Sequence, residues 1–174
     1  GSALDLKEGE TLTLEEAVMA VITRSANDAA VALAEYLGGS EFGFAQRMNE
    51  TARRIGLVST HYLNATGLSA PGQVTTATDM ARLALALRHQ FPGEYGRFAS
   101  RSMVWKKRTL PNLNGFLGAF AGAEGLKTGF TCPAGYNLVA AATRDGKSLI
   151  GVVLGAHSRD ERESLMVRML NRAL

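Results

Sequence analysis

Two short stretches carry the side chains best suited to chemistry. In Gly125-Leu126-Lys127-Thr128-Gly129-Phe130, an apolar residue, a lysine, a hydroxyl and a bare glycine follow one another. Successive side chains of an extended chain face opposite ways, so Lys127 and Gly129 share one face and Thr128 points to the other unless the strand bends. With no side chain at Gly129, another molecule can lie close against the backbone. A lysine, a hydroxyl and an open backbone edge suit a ligand bearing a carboxylate. Taken alone, the stretch also fits a strand end with a solvent-facing lysine. The second stretch is Ser25-Ala26-Asn27-Asp28. A hydroxyl can accept and donate a proton in one step, and an amide can do both at once. Ser, Asn and Asp are also favoured helix N-caps, and capping is compatible with chemistry.

Helices position the second stretch. Thr13-Leu14-Glu15-Glu16 is a capping-box pattern. Leu14, Val18, Val21 and Ile22 then recur at helical spacing and predict a helix ending near Thr23-Arg24. A second helix follows Asp28, with Ala30, Leu33, Ala34 and Leu37 on one face and Gly38-Gly39 as its stop. Ser25 and Asn27 therefore sit on a tight connection between two helices. Ser40 caps a third helix (Phe44, Met48, Ala52, Ile55), and Thr78 is the expected cap of a fourth (Met80, Leu83, Ala84, Leu87). Residues 57–77 lack a clear period and are rich in turn residues.

Strands position the first stretch. Residues 93–124 are irregular, and either short strands or a long packed connection would fit them. From Gly125 the pattern is β: Leu126 to Thr131, Tyr136 to Thr143, and Ser148 to Leu154, with Asp145-Gly146 as a hairpin signal. The third strand is apolar nearly throughout, which predicts burial on both faces. A last helix runs from about Ser158, packing through Leu165, Met166, Met169 and Leu170. Three strands need at least one more strand and a helix on each face, yet only the terminal helix is evident.

Composition excludes several function classes. The 174 residues suit one domain, and 46% apolar content supports a packed core. A net charge of +3 does not argue for nucleic acid, and the densest basic cluster, Lys106-Lys107-Arg108, reads as a solvated turn. The single cysteine, Cys132, excludes an intrachain disulfide and reads as a bystander thiol. His61, His89 and His157 stand far apart, so no metal site is expected, and no cofactor is implied. No apolar run is long enough to span a bilayer, and the first residues do not read as a signal peptide.

Ser25-Ala26-Asn27 and Lys127-Thr128-Gly129 together resemble two of the three signatures of the penicillin-recognising serine enzymes. The flanks narrow this. Ser25 to Glu35, Asn64-Ala-Thr-Gly-Leu68, Thr76-Ala-Thr-Asp79, Gly125 to Thr131 and Ala134 to Ala140 resemble the D-alanyl-D-alanine carboxypeptidases, the low-molecular-mass penicillin-binding proteins. The resemblance runs from about Leu6 to Leu170. It implies an α/β fold of the α+β type, β-lactamase/transpeptidase-like: an antiparallel sheet flanked by helices plus a helical subdomain, incomplete at the N-terminus. Residues 1–174 are then one incomplete domain, with the helical part over about 10–92 and the sheet with the C-terminal helix over about 93–174.

The family's third signature is Ser-x-x-Lys, which supplies the nucleophile. None of the ten serines (Ser2, Ser25, Ser40, Ser59, Ser69, Ser100, Ser102, Ser148, Ser158, Ser164) has a lysine three residues on. The nucleophile is therefore expected outside this chain, on a preceding part or a separate N-terminal polypeptide, and the chain alone is expected to be inactive. By resemblance, Ser25 relays a proton towards the leaving amine and Asn27 hydrogen-bonds the substrate peptide. Lys127 supplies positive charge, Thr128 binds the terminal carboxylate, and Gly129 lets the substrate pair with the strand. The Phe130 N–H gives half an oxyanion hole, and Arg162 either helps bind the carboxylate or is an ordinary surface arginine. The implied function is a serine-type D-Ala-D-Ala carboxypeptidase acting on peptidoglycan pentapeptides ending in D-Ala-D-Ala and acylated by β-lactams. The implied location is periplasmic or at the bacterial cell surface; any membrane anchor would lie beyond Leu174. A non-catalytic peptidoglycan-peptide-binding module is the alternative. A class A β-lactamase fits less well, because no acidic residue lies between Gly56 and Thr78 to serve in deacylation.

Overall fold

The computed structural model describes residues 2–174. Four helices come first. The capping box forms at α1 (Leu14–Arg24): Thr13 Oγ1 accepts from the Glu16 N–H at 3.1 Å, and Glu16 Oε2 accepts from the Thr13 N–H at 2.8 Å. Helix α2 spans Asn27–Gly38 and packs on α1. Both bury small residues, Ala17 and Ala20 on α1 and Ala29, Ala30 and Ala34 on α2, with Ala20 and Ala29 in one core cluster. The larger residues expected in this seam are not all there: Leu14 and Leu37 are exposed. Helix α3 (Glu41–Arg54) is capped by Ser40, whose Oγ accepts from the Gly43 N–H. Helix α4 (Ala77–Gln90) is capped by Thr76, not Thr78. Thr76 Oγ1 takes the Asp79 N–H, which leaves the buried Asp79 carboxylate to accept from Ser59 N (2.8 Å) and Thr60 Oγ1 (2.7 Å).

The irregular stretch resolves into small elements: α5 (Pro92–Tyr95), a 3₁₀ turn (Gly96–Ala99), an antiparallel hairpin of β1 (Ser102–Trp105) and β2 (Arg108–Pro111), and α6 (Phe116–Ala119). Lys106 and Lys107 form its exposed two-residue turn, both left-handed as a type I′ hairpin requires. Met103 and Trp105 of β1 pack with Ala20, Ala26, Ala29 and Leu4.

The main sheet is β3 (Ala123–Thr131), β4 (Gly135–Arg144) and β5 (Lys147–Ala156), antiparallel in that order. Helix α7 (Arg159–Ala173) follows, with Ser158 Oγ accepting from the Glu161 N–H. Alternate residues of β4 serve opposite faces. Leu138, Ala140 and Ala142 pack with Val153 and with Met166 and Leu170 of α7, whereas Ala141 packs with Leu126 and with Ala84 of α4. Both faces thus carry a helix; the sequence reading identified only α7, because α4 lies far from the sheet along the chain. Two expectations fail here. β4, not β5, is the most buried strand, since β5 lies at the edge of the sheet and Leu154 is exposed. On α7, Met169 is exposed and Arg162 takes a buried position instead.

Candidate active site

The connection between α1 and α2 is shaped by backbone, not by side-chain caps. Ser25 closes α1 in the left-handed region (φ 52°), and Ala26 stands at the N-cap of α2 without a side-chain bond. The capping alternative for Ser25 and Asn27 is therefore not what forms. Asp28 stabilises this end differently. Its carboxylate accepts from the N–H groups of Leu4, Leu6 and Ala29 at 2.9–3.0 Å. Burial alone would raise its pKa, but these donors outweigh it and hold the carboxyl below its ordinary value. Ser2 completes the junction, its carbonyl accepting from the Asn27 N–H at 2.9 Å. The Ser25 hydroxyl and the Asn27 amide are left facing the cleft.

On the other side, β3 is distorted just before the lysine. The register shifts between Ala123 and Gly125, and Gly125 and Leu126 are both left-handed (φ 93° and 78°). Bulges bend and twist a strand and so re-aim its side chains. Lys127, Thr128 and Gly129 all line the cleft, although the first two are sequence neighbours. Lys127 Nζ donates to Ser25 Oγ and, at 2.8 Å, to the carbonyl of Thr128. Burial pushes the Lys127 ammonium down to about 8, and the nearby Arg162 guanidinium adds to the effect. A lysine poised near neutrality, hydrogen-bonded to a hydroxyl, can pass a proton in either direction.

The cleft, about 850 Å³, gathers Ser25, Asn27, Lys127, Thr128, Gly129, Phe130 and Arg162. A Cβ at Gly129 would meet nothing within 4 Å, so the face of the strand is open there, and β3 is an edge strand of its sheet. Phe130 lies over Tyr136, ring centroids 4.3 Å apart, and is half exposed. Arg162 is no surface arginine: it is 3% exposed, one terminal nitrogen donates to Glu163 Oε1 at 3.1 Å, and its buried Nε has no hydrogen-bond partner among the described residues. The charged residues on the lining, Lys127, Arg159 and Arg162, are all basic, as an anionic ligand requires. Cys132 is exposed and is not part of the lining.

Several lining residues escaped the sequence reading. Asn137 braces the open end of the sheet, donating to Gly135 O and accepting from Gly155 N, both at 2.9 Å. Gln73 folds the 62–75 loop over the cleft, accepting from Leu63 N and donating to Leu68 O, both at 2.8 Å. Ser69 Oγ and Thr131 Oγ1 meet at 2.7 Å and join that loop to the end of β3. Gln73 and Ser69 lay in a loop where only the turn chemistry around Asn64 and Gly67 gave a signal, whereas Thr131 and Asn137 lay in strands read from the sequence without a role of their own.

The family model described as D-alanyl-D-alanine carboxypeptidase matches residues 1–158. The carboxypeptidase DacC of Escherichia coli K12 is 43% identical over 156 residues, covering 89% of this chain and 39% of that protein. Among solved structures, the carboxypeptidase DacD of Francisella tularensis superposes with a TM-score of 0.96 at 32% identity, covering 99% of this chain and 55% of that one. Penicillin-binding protein D2 of Listeria monocytogenes, in its ampicillin-bound form, gives 0.89 at 31% identity, covering 98% and 71%. The chain spans about two fifths of the curated relative's length and about half of the F. tularensis structure. With the Ser-x-Asn and Lys-Thr-Gly signatures converging on one cleft, the chain belongs to the D-alanyl-D-alanine carboxypeptidase family.

Proposed function

We propose that this chain supplies the proton-relay and carboxylate-binding half of a serine-type D-Ala-D-Ala carboxypeptidase. The nucleophile comes from a Ser-x-x-Lys segment outside these 174 residues. The observation that carries the reading is the hydrogen bond from Lys127 to Ser25, made between two elements far apart in sequence. The nucleophilic serine attacks the carbonyl between the two D-alanines, an acyl-enzyme forms, D-alanine leaves, and water releases the shortened stem peptide. Ser25, held by Lys127, hands a proton to the departing amine. Asn27 holds the substrate's peptide group. Lys127, Thr128 and Arg162, which all line the cleft, receive the terminal carboxylate. The substrate backbone pairs with the edge of β3 at Gly129, and the Phe130 N–H contributes to the oxyanion hole. A β-lactam enters the same groove and stops at the acyl stage, in keeping with the ampicillin complex of the Listeria relative. Because peptidoglycan lies outside the cytoplasmic membrane, the protein works in the periplasm or at the cell surface, where trimming stem peptides bears on wall assembly and cell shape.

Intact-mass measurement before and after exposure to ampicillin tests this reading. The intact protein is expected to gain the drug's mass on the serine of a Ser-x-x-Lys segment. The isolated 174-residue chain is expected to gain none. An adduct mapped to any of the ten serines present here overturns the assignment of the nucleophile.

A further inference from the structure

Ser25 and Lys127 meet, but the elements that carry them barely touch. Apart from the Lys127–Ser25 bond, no hydrogen bond joins residues 13–38 to β3 among the described residues. Both partners also depend on costly backbone. Ser25 is left-handed, and so is Leu126, immediately before Lys127. A non-glycine residue holds that conformation only when its surroundings enforce it. One short segment reaches both places. The Leu113 N–H donates to the carbonyl of Thr23 at 2.9 Å, two residues before Ser25. The next side chain, Asn114, donates through Nδ2 to the carbonyl of Leu126 at 3.3 Å. The segment is itself fixed. Asn114 is 4% exposed, its Oδ1 accepts from the Phe116 N–H at 3.3 Å, and its N–H donates to Asn112 Oδ1 at 2.8 Å. Asn112 is anchored in turn on Ser100 O and Arg101 O, and Arg24 reaches Pro111 O at 2.6 Å.

We propose that Asn114 is a positioning residue: the 111–114 segment clamps the end of α1 to the bulge of β3, and Asn114 fixes the Leu126–Lys127 peptide so that Nζ meets the Ser25 hydroxyl. Neither residue 113 nor 114 needs to touch the substrate through this device; they act through Ser25 and Lys127. The amide is the right group for the task. It donates to Leu126 and accepts from Phe116 at once, which an ionised carboxylate, an acceptor only, cannot do. Without it, Leu126 has a buried carbonyl unpaired and less to oppose the relaxation of its left-handed backbone. Lys127 then swings towards solvent and the cleft loses its proton relay.

The test reads Lys127 directly and needs no turnover, so its failure is distinct from failure of the acyl-enzyme reading on which the clamp's purpose rests. The intact protein, with lysine side chains isotopically labelled, is titrated by NMR; the sequence has only five lysines, and Lys127→Met assigns the signal. Ser25, the Thr128 carbonyl and Arg162 face Lys127, and none of them is altered by the substitutions. In Asn114→Ala, the Lys127 midpoint is expected to rise from about 8 by roughly one unit or more, at least tenfold in acid constant. Asn114→Ser leaves a smaller void, keeps an acceptor for Phe116 and gives the same reading should the alanine variant not fold. The double variant Asn114→Ala/Leu126→Gly separates positioning from stability. Glycine takes the left-handed backbone without a Cβ penalty. The midpoint is expected to fall back towards about 8 even though removal of the buried Leu126 side chain lowers thermal stability further. An unchanged Lys127 midpoint in folded Asn114→Ser overturns the proposal. So does a midpoint in the double variant that moves further from the native value as stability falls.

Discussion

Lys127 sits in an environment unlike that of an exposed lysine. Its ammonium is pushed from 10.5 to about 8, first by burial and then by Arg162. A base whose folded pKa lies below its unfolded value binds fewer protons when folded over the interval between the two. Stability therefore rises with pH through that window, and the penalty is fully present below it. The shift corresponds to a cost of about 3 kcal/mol at neutral pH. Denaturant unfolding from pH 7 to pH 10 is expected to show this rise, and Lys127→Met is expected to flatten it. A parallel pH dependence in the methionine variant would assign the effect to other groups. Chemistry sets the opposite demand. Lys127→Ala is expected to slow acylation of the intact protein by ampicillin about 10²- to 10³-fold, the usual loss when one preorganised electrostatic group is removed.

At the scale of elements, the bulge in β3 matters most. Gly125 is left-handed, and a Cβ there would lie 2.1 Å from the carbonyl oxygen of Phe98. Gly125→Ala is thus strained twice, by its own dihedral and by a backbone atom that cannot yield. It is expected to cost about 2 kcal/mol or more in denaturant unfolding and to detach Lys127 from Ser25. A loss below about 0.5 kcal/mol, the range of neutral surface changes, would show that the bulge relaxes freely. Asp28 holds residues 2–6 against the start of α2 through a carboxylate kept ionised by backbone donors despite its burial. Its folded pKa is lowered, so its contribution is present at neutral pH and is lost as pH falls through that depressed value. Asp28→Asn is expected to loosen residues 2–6, seen as faster amide exchange at Leu4 and Leu6 with the exchange of α7 unchanged.

At the scale of the molecule, the sheet ties the two halves of the cleft into one body. Helix α4 belongs to the helical first half, yet it covers one face of the sheet that the second half builds. Helix α7 covers the other face and delivers Arg162 to the cleft. Helices α1 and α2 deliver Ser25 and Asn27, and the 62–75 loop closes over the cleft between them. Every charged lining residue is basic, and those residues come from β3 and α7, elements joined only through the fold. An anionic ligand is thus selected by the assembled molecule, not by any single motif.

The signature motifs, several helix starts and the Asp145-Gly146 hairpin are local properties, and the sequence by itself determined them. The capping box at Thr13, the Ser40 cap, the start of the last helix near Ser158, the Asp145-Gly146 turn and the β pattern after Gly125 all follow from neighbours a few residues apart. The two signatures were likewise legible, because their residue types at short spacing are chemically distinctive. Tertiary structure decided what depends on distant partners. Arg162 reads equally as a surface or a cleft residue until α7 is laid on the sheet. The exposure of Leu14, Leu37 and Met169 follows from helix seams built on alanines and from which face meets the core, neither of which periodicity specifies. The cap of α4 falls at Thr76 because Asp79 is committed to the loop at Ser59 and Thr60. Ser25 and Asn27 have the side chains of helix caps, and their freedom to face Lys127 comes from a left-handed turn and a clamp at Leu113 and Asn114, some ninety residues further along the chain.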